Sequence, residues 1–117
     1  MIQEDKELLF KDLCARLPYE VKLLHIPTNE ITTLEMIGKY FVDGDIHDFI
    51  ENFKPYLFPM PSMTEEQENE FQSLNGWIHC VFPKTEEAFD WLNKNHFDYR
   101  GLIEKGLALD ATGLNIY

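Results

Sequence analysis

Hydrophobic positions near the start of the chain recur at helical spacing. Leu8, Leu9, Leu13, Ala15 and Leu17, with Phe10 and Cys14, mark an apolar side, and Lys6, Lys11, Asp12 and Arg16 can occupy the wetter one. The pattern predicts a helix over residues 4–17, ended by Pro18. Cys14 falls on or beside the apolar side and is expected to be a small buried hydrophobe, with no basic cluster nearby to activate its thiol. The spacing then shortens. Val21, Leu23, Leu24 and Ile26 predict a strand over 19–26, Pro27 to Glu30 a turn, and the β-branched run over 31–37 a second strand whose last part is ambiguous with helix. A short strand over 39–42 follows, and Asp43-Gly44 is a hairpin signal. Over 46–53 two patterns conflict. Ile46, Phe49, Ile50 and Phe53 fit a helix, but the hairpin leaves room for little except a returning strand, and the balance tips to strand.

The stretch from Phe53 to Leu74 is where the style of the chain changes. Pro55, Pro59 and Pro61 argue against a long regular element there, so the stretch is expected to act as a hinge. Thr64 with Gln67 forms a capping-box signature that opens a helix over 64–74, with a thin apolar stripe of Met63, Phe71 and Leu74, closed by Asn75-Gly76. Residues 77–82 predict a strand or buried extended segment stopped by Pro83. Thr85 caps a second helix that buries Ala88, Phe89, Trp91 and Leu92. Asp98 is placed to cap a third, short helix carrying Leu102, Ile103, Leu107 and Leu109, weakened by Gly101 and stopped at Gly106. Residues 111–117 form an extended tail, either loose or docked through Leu114 and Ile116.

The fold expected from this pattern is α+β in a single domain over 1–117. It has an N-terminal helix, then a small antiparallel meander of three or four strands able to curl into an SH3-like partial barrel. Two or three short C-terminal helices complete it. Residues 1–58 make the helix and strand-rich half, and 62–117 the mainly helical half.

Composition sharpens this picture. With 44% hydrophobic and 14% aromatic residues in 117, a true core is expected, and some aromatic surface is left over for an interface. Ten basic against 21 acidic residues give a net charge of −11, spread along the chain. Such a field disfavours nucleic acid and anionic membranes; it fits ordinary solubility, and a basic protein partner is the complementary reading. Two cysteines, a charged acidic start and the lack of a long apolar run point to a protein of the cytoplasm with no membrane association.

Candidate chemistry is sparse. His79 and Cys80 are adjacent, so a strand would point them to opposite faces, and His25, His47 and His96 lie far from any cysteine. Asp43-Gly-Asp45 lacks calcium-loop spacing, and neither Ser62 nor Ser73 sits in a nucleophile elbow. No catalytic residue, metal site or cofactor is assigned. Two sets of residues remain as candidates. Tyr56, Phe58, Met60 and Met63 present large side chains from proline-stiffened backbone and are candidates for an interface. Trp77, Tyr99, Arg100 and Lys105 combine aromatic faces with cations and are candidates for an anionic small ligand, although Arg100 is also well placed to pair with Asp98, Glu104 or another local acid.

Three segments carry a resemblance. Residues 11–19 (KDLCARLPY), residues 54–59 (KPYLFP) with 62–66 (SMTEE), and residues 91–106 (WLNKNHFDYRGLIEKG) are similar to a group of small proteins from Bacteroides and related gut bacteria, their prophages and phages. No activity is established for that group, so no residue role carries over. The resemblance implies a phage-related or mobile-element accessory protein acting in the bacterial host cytoplasm. Together with the composition it favours a noncatalytic protein working by protein–protein contact, with a protein partner or as a homo-oligomer. The alternative is a protein that binds or sequesters a small ligand such as a nucleotide. An enzyme ranks below both.

Overall fold

The computed structural model describes residues 2–33, 50–77 and 82–117. The order of elements is helix α1 (Gln3–Arg16), a 3₁₀ turn (Leu17–Tyr19), β1 (Lys22–His25), β2 (Glu30–Thr33), a 3₁₀ turn (Ile50–Asn52), β3 (Phe53–Pro59), a 3₁₀ turn (Met60–Ser62), α2 (Glu65–Leu74), α3 (Glu86–Lys94), β4 (Phe97–Asp98) and β5 (Leu109–Asp110). The architecture is α+β: an N-terminal helix, a mixed sheet, and helices in the C-terminal half. The strand and hairpin expected over 34–49, the first half of the 46–53 segment, and His79 and Cys80 lie outside the described residues, and Ile50–Asn52 form a 3₁₀ turn where strand was expected.

The proline-rich stretch is the centre of the sheet, which corrects its reading as a hinge. β3 pairs antiparallel with β1 through Phe53, Lys54 and Pro55, then parallel with β5 at Tyr56 and Leu57 and with β4 at Phe58 and Pro59. Proline removes a donor but its φ suits extended backbone. Pro55 is the last residue of the β1 ladder and Pro59 the last of the β4 ladder, so each falls where a ladder stops. The expectation of an all-antiparallel meander is likewise corrected, because β4 and β5 return in parallel after α2 and α3 supply the crossover. Among the described residues no ladder joins β2 to β4 or β5.

The two-residue period of β3 divides the interior. Phe53 and Leu57 face a core with Leu9 and Leu13 of α1, Val21 and Leu23 of the β1 segment, Ile50, Leu102 and Leu107. Phe58 faces a second core built from Phe71 of α2, Ala88, Trp91 and Leu92 of α3, and Phe97. Within it the Trp91 ring stacks on Phe97 at 5.6 Å and 11° and on Phe71 at 6.0 Å and 30°.

Helix ends follow the local sequence. Thr64 Oγ1 accepts from the Gln67 amide at 3.2 Å while Gln67 Oε1 accepts from the Thr64 amide at 2.9 Å, the reciprocal bonds of a capping box. Thr85 Oγ1 accepts from the Ala88 amide and donates to the Leu74 carbonyl at 2.6 Å, so one side chain opens α3 and ties it to the end of α2. The third C-terminal helix is reduced to a single turn. Asp98 caps it by accepting from the Leu102 and Ile103 amides, but bonds from Gly106 to Ile103 and from Leu107 to Leu102 close it at once around the left-handed Gly106.

Three further expectations are corrected. Cys14 is exposed, because Leu9, Leu13 and Arg16 take the buried stripe of α1. Phe89 is 40% exposed and rests edge-on against Tyr99. Trp77 sits at a left-handed turn after Gly76, its amide donating to the Gln72 carbonyl, so the segment expected over 77–82 is not strand at its first residue, and residues 78–81 lie outside those described. The tail docks through Tyr117, while Leu114 is half exposed. The Tyr117 hydroxyl accepts from the Lys22 amide at 2.8 Å and donates to the Tyr56 carbonyl at 2.7 Å.

Candidate functional site

The side chain around which the site is built is Asp12, in the middle of α1. It is fully buried, as is Arg16 one turn later. Arg16 grips the carboxylate with Nε and Nη2 at 2.8 and 3.2 Å, and the same Nη2 donates to the Phe97 carbonyl at 2.6 Å. Arg100, from the loop after β4, donates to Asp12 Oδ1 at 2.8 Å. One buried carboxylate therefore holds two guanidinium groups, and Arg16 Nη1 has no hydrogen-bond partner. Tyr99 lies between them, its ring 5.4 Å from the Arg16 guanidinium carbon and 4.5 Å from that of Arg100. Its hydroxyl donates to Asn93 Oδ1 of α3 at 2.9 Å. Residues 98–100 are thus fixed from α1, α3 and their own capping turn.

This braced loop forms one wall of a groove of about 390 Å³. Opposite lie Pro59, Met60 and Pro61, with Phe82 and Ile103 completing an apolar lining and Glu104 at its edge. Phe82 is 60% exposed, yet its backbone is held: the buried Asn75 side chain donates to the Phe82 carbonyl at 3.0 Å and accepts from the Lys84 amide at 2.5 Å. On the far side of Met60 and Pro61 a second concavity of about 230 Å³ is lined by Met63, Phe71, Gln72 and Glu68. Met60 and Pro61 form the ridge between the two.

Of the two candidate sets read from the sequence, Met60 from one and Tyr99 and Arg100 from the other line the same groove. Met60 also packs with Tyr99 against the second core, and Met63 lines the second concavity. Tyr56 is buried in β3, and Phe58 is half-buried against Phe97 and Tyr117. Lys105 is exposed on the turn and Trp77 is exposed after α2; neither is among the residues lining the grooves. The partner of Arg100 is Asp12, far away in sequence, instead of Asp98, whose two oxygens are taken by backbone amides. Phe82 was not singled out from the sequence, Ile103 was read only as a helix residue, and Glu104 only as a local partner for Arg100. Only the surplus of aromatics signalled a residue such as Phe82.

The thiol of Cys14 is pushed up by partial burial and is therefore a poorer nucleophile than a free thiol. Among the described residues no group of three His, Cys, Asp or Glu side chains is placed to hold a metal ion. Among them, too, no helix is long and apolar enough to cross a membrane. Compared with known proteins, the chain gives no significant match to a family model, a curated protein or a solved structure.

Proposed function

We propose that this is a noncatalytic accessory protein that holds a partner protein on the two sides of the Met60–Pro61 ridge. The partner segment presents an apolar or aromatic side chain flanked by basic residues. The observation that carries this reading is the convergence of accessible apolar surface from Met60, Phe82, Tyr99 and Ile103 on backbone that is already braced. Docking an anchor side chain against a preordered groove costs little conformational entropy. Met and aromatic side chains are the types enriched at the centres of protein interfaces.

Charge supports a basic partner. Glu104 edges the first concavity and Glu68 the second, and the sole cation among the described lining residues, Arg100, is engaged by Asp12. An anionic ligand in the first groove would compete with Asp12 for Arg100 and face Glu104. A net charge of −11 would in addition steer a basic protein toward this surface and raise its association rate. The setting proposed is the cytoplasm of a bacterial host of the kind the sequence resemblance indicates.

The reading is tested by affinity capture from a bacterial host lysate with tagged wild type and a Met60→Glu, Phe82→Asp double variant. A basic protein captured in near-stoichiometric amount by the wild type and lost with the folded variant supports it. Equal capture by both, or a small molecule as the only species bound to the wild type in native mass spectrometry, overturns it.

A further inference from the structure

A third cleft, of about 510 Å³, opens where the 3₁₀ turn after α1, the start of β1, the end of α3 and the docked C-terminal segment meet. Its character is opposite to that of the molecule. Lys22 and Lys94 both line it, against one acid, Glu20. Neither lysine forms an ion pair among the described residues, although acids outnumber bases 21 to ten in the whole chain. In so acidic a protein, two cations with no ion pair among the described residues beside one concave surface are unexpected from composition alone.

The floor is aromatic and fixed. The His96 imidazole stacks on the Tyr117 ring at 3.8 Å and 16°, and Tyr19 also lines the cleft. The Tyr117 hydroxyl is tied to the backbone of β1 and β3. His96 Nδ1 is buried with no hydrogen-bond partner. The imidazole is held neutral, its pKa lowered to about 4 by burial first and then by the positive charges of Arg16 and Lys22. Because Arg16 is engaged by Asp12, the cations that the cleft itself offers an entering anion are Lys22 and Lys94.

We propose that this cleft is a binding site for a small multivalent oxyanion of the phosphate class, held between Lys22 and Lys94 against the His96–Tyr117 pair. The site is separate from the Met60 groove and does not depend on it. A phosphate group carries up to two charges and several acceptor oxygens, which suits two ammonium donors better than a carboxylate does.

The test is a titration of the full chain with inorganic phosphate and with pyrophosphate, followed through the ring resonances of His96 and Tyr117. Sodium chloride of equal ionic strength is the control. The site predicts saturable shifts with both anions, at least tenfold weaker binding in the Lys22→Gln, Lys94→Gln variant, and unchanged melting of that variant without anion. A linear drift identical to that of chloride would overturn the proposal. So would equal binding by the variant, which would place the anion elsewhere.

Discussion

Asp12 Oδ1 lies 2.8 Å from Arg100 Nη1 across 88 positions of sequence, and the same carboxylate is gripped by Arg16 from within α1. The first helix therefore braces the wall of a groove made by the C-terminal half. Because the carboxylate is fully buried, its removal leaves two guanidinium groups facing each other without compensation. Asp12→Ala is predicted to cost about 3–5 kcal/mol, the range for breaking a buried ion pair from one side. Asp12→Leu combined with Arg16→Met and Arg100→Met should recover part of that loss, because the carboxylate and both guanidinium groups then go together. Urea unfolding of the three proteins checks both statements.

The two threonine caps differ in what they hold. Thr64→Ala removes one capping bond and is predicted to cost about 1 kcal/mol. Thr85→Ala also strips the donor from the Leu74 carbonyl, so it is predicted to cost roughly twice as much, about 2 kcal/mol. A parallel pair of denaturation curves gives the ratio.

Stability should fall in mild acid through His96. The folded state holds the ring neutral down to about pH 4, whereas the ordinary histidine value is 6.5. Between those values the unfolded chain binds more protons, so stability rises with pH through this window. The contribution is complete above 6.5 and is lost as pH falls through 4. His96 has φ +64°, and Asn tolerates that conformation better than most residues. His96→Asn should therefore flatten the slope of melting temperature against pH between 4 and 6.5, a comparison that leaves the carboxylate titrations in both proteins.

Tyr117 is the clasp of the C-terminal segment. Burial raises its phenol well above the usual value, so the hydroxyl stays protonated and able to donate to Tyr56. Tyr117→Phe keeps the ring on His96 but removes both hydrogen bonds, at a predicted cost of about 1–2 kcal/mol. Amide exchange at Lys22, whose N–H is bonded to that hydroxyl, should accelerate in the variant.

What the sequence made legible was local. The α1 span, the Thr64–Gln67 box, the Thr85 cap and the stop at Gly106 each depend on residues within one or two turns, and each is found. Long-range pairing decided the rest. Nothing in Phe53–Pro59 announces that its first half would pair with β1 and its second half with β4 and β5, which is what lets a strand accept two prolines. Cys14 misled because Arg16, a charged residue, occupies the buried stripe through its bond to Asp12. Of the groove, the sequence offered Met60, Tyr99 and Arg100 as members of two unrelated sets; that they line one concavity depends on the crossover through α2 and α3.

Photo-crosslinking from the groove itself is the most direct test of partner binding. A benzophenone amino acid would replace Phe82, with the same group at exposed Glu4 of α1 as control, in a bacterial host expressing the protein. The expected result is one dominant adduct with a basic protein from position 82, none from position 4, and loss of the adduct when Met60→Glu is added. Identical adduct patterns from both positions, or no adduct from position 82 in cells where the protein is abundant and folded, would contradict a partner seated on the Met60 ridge.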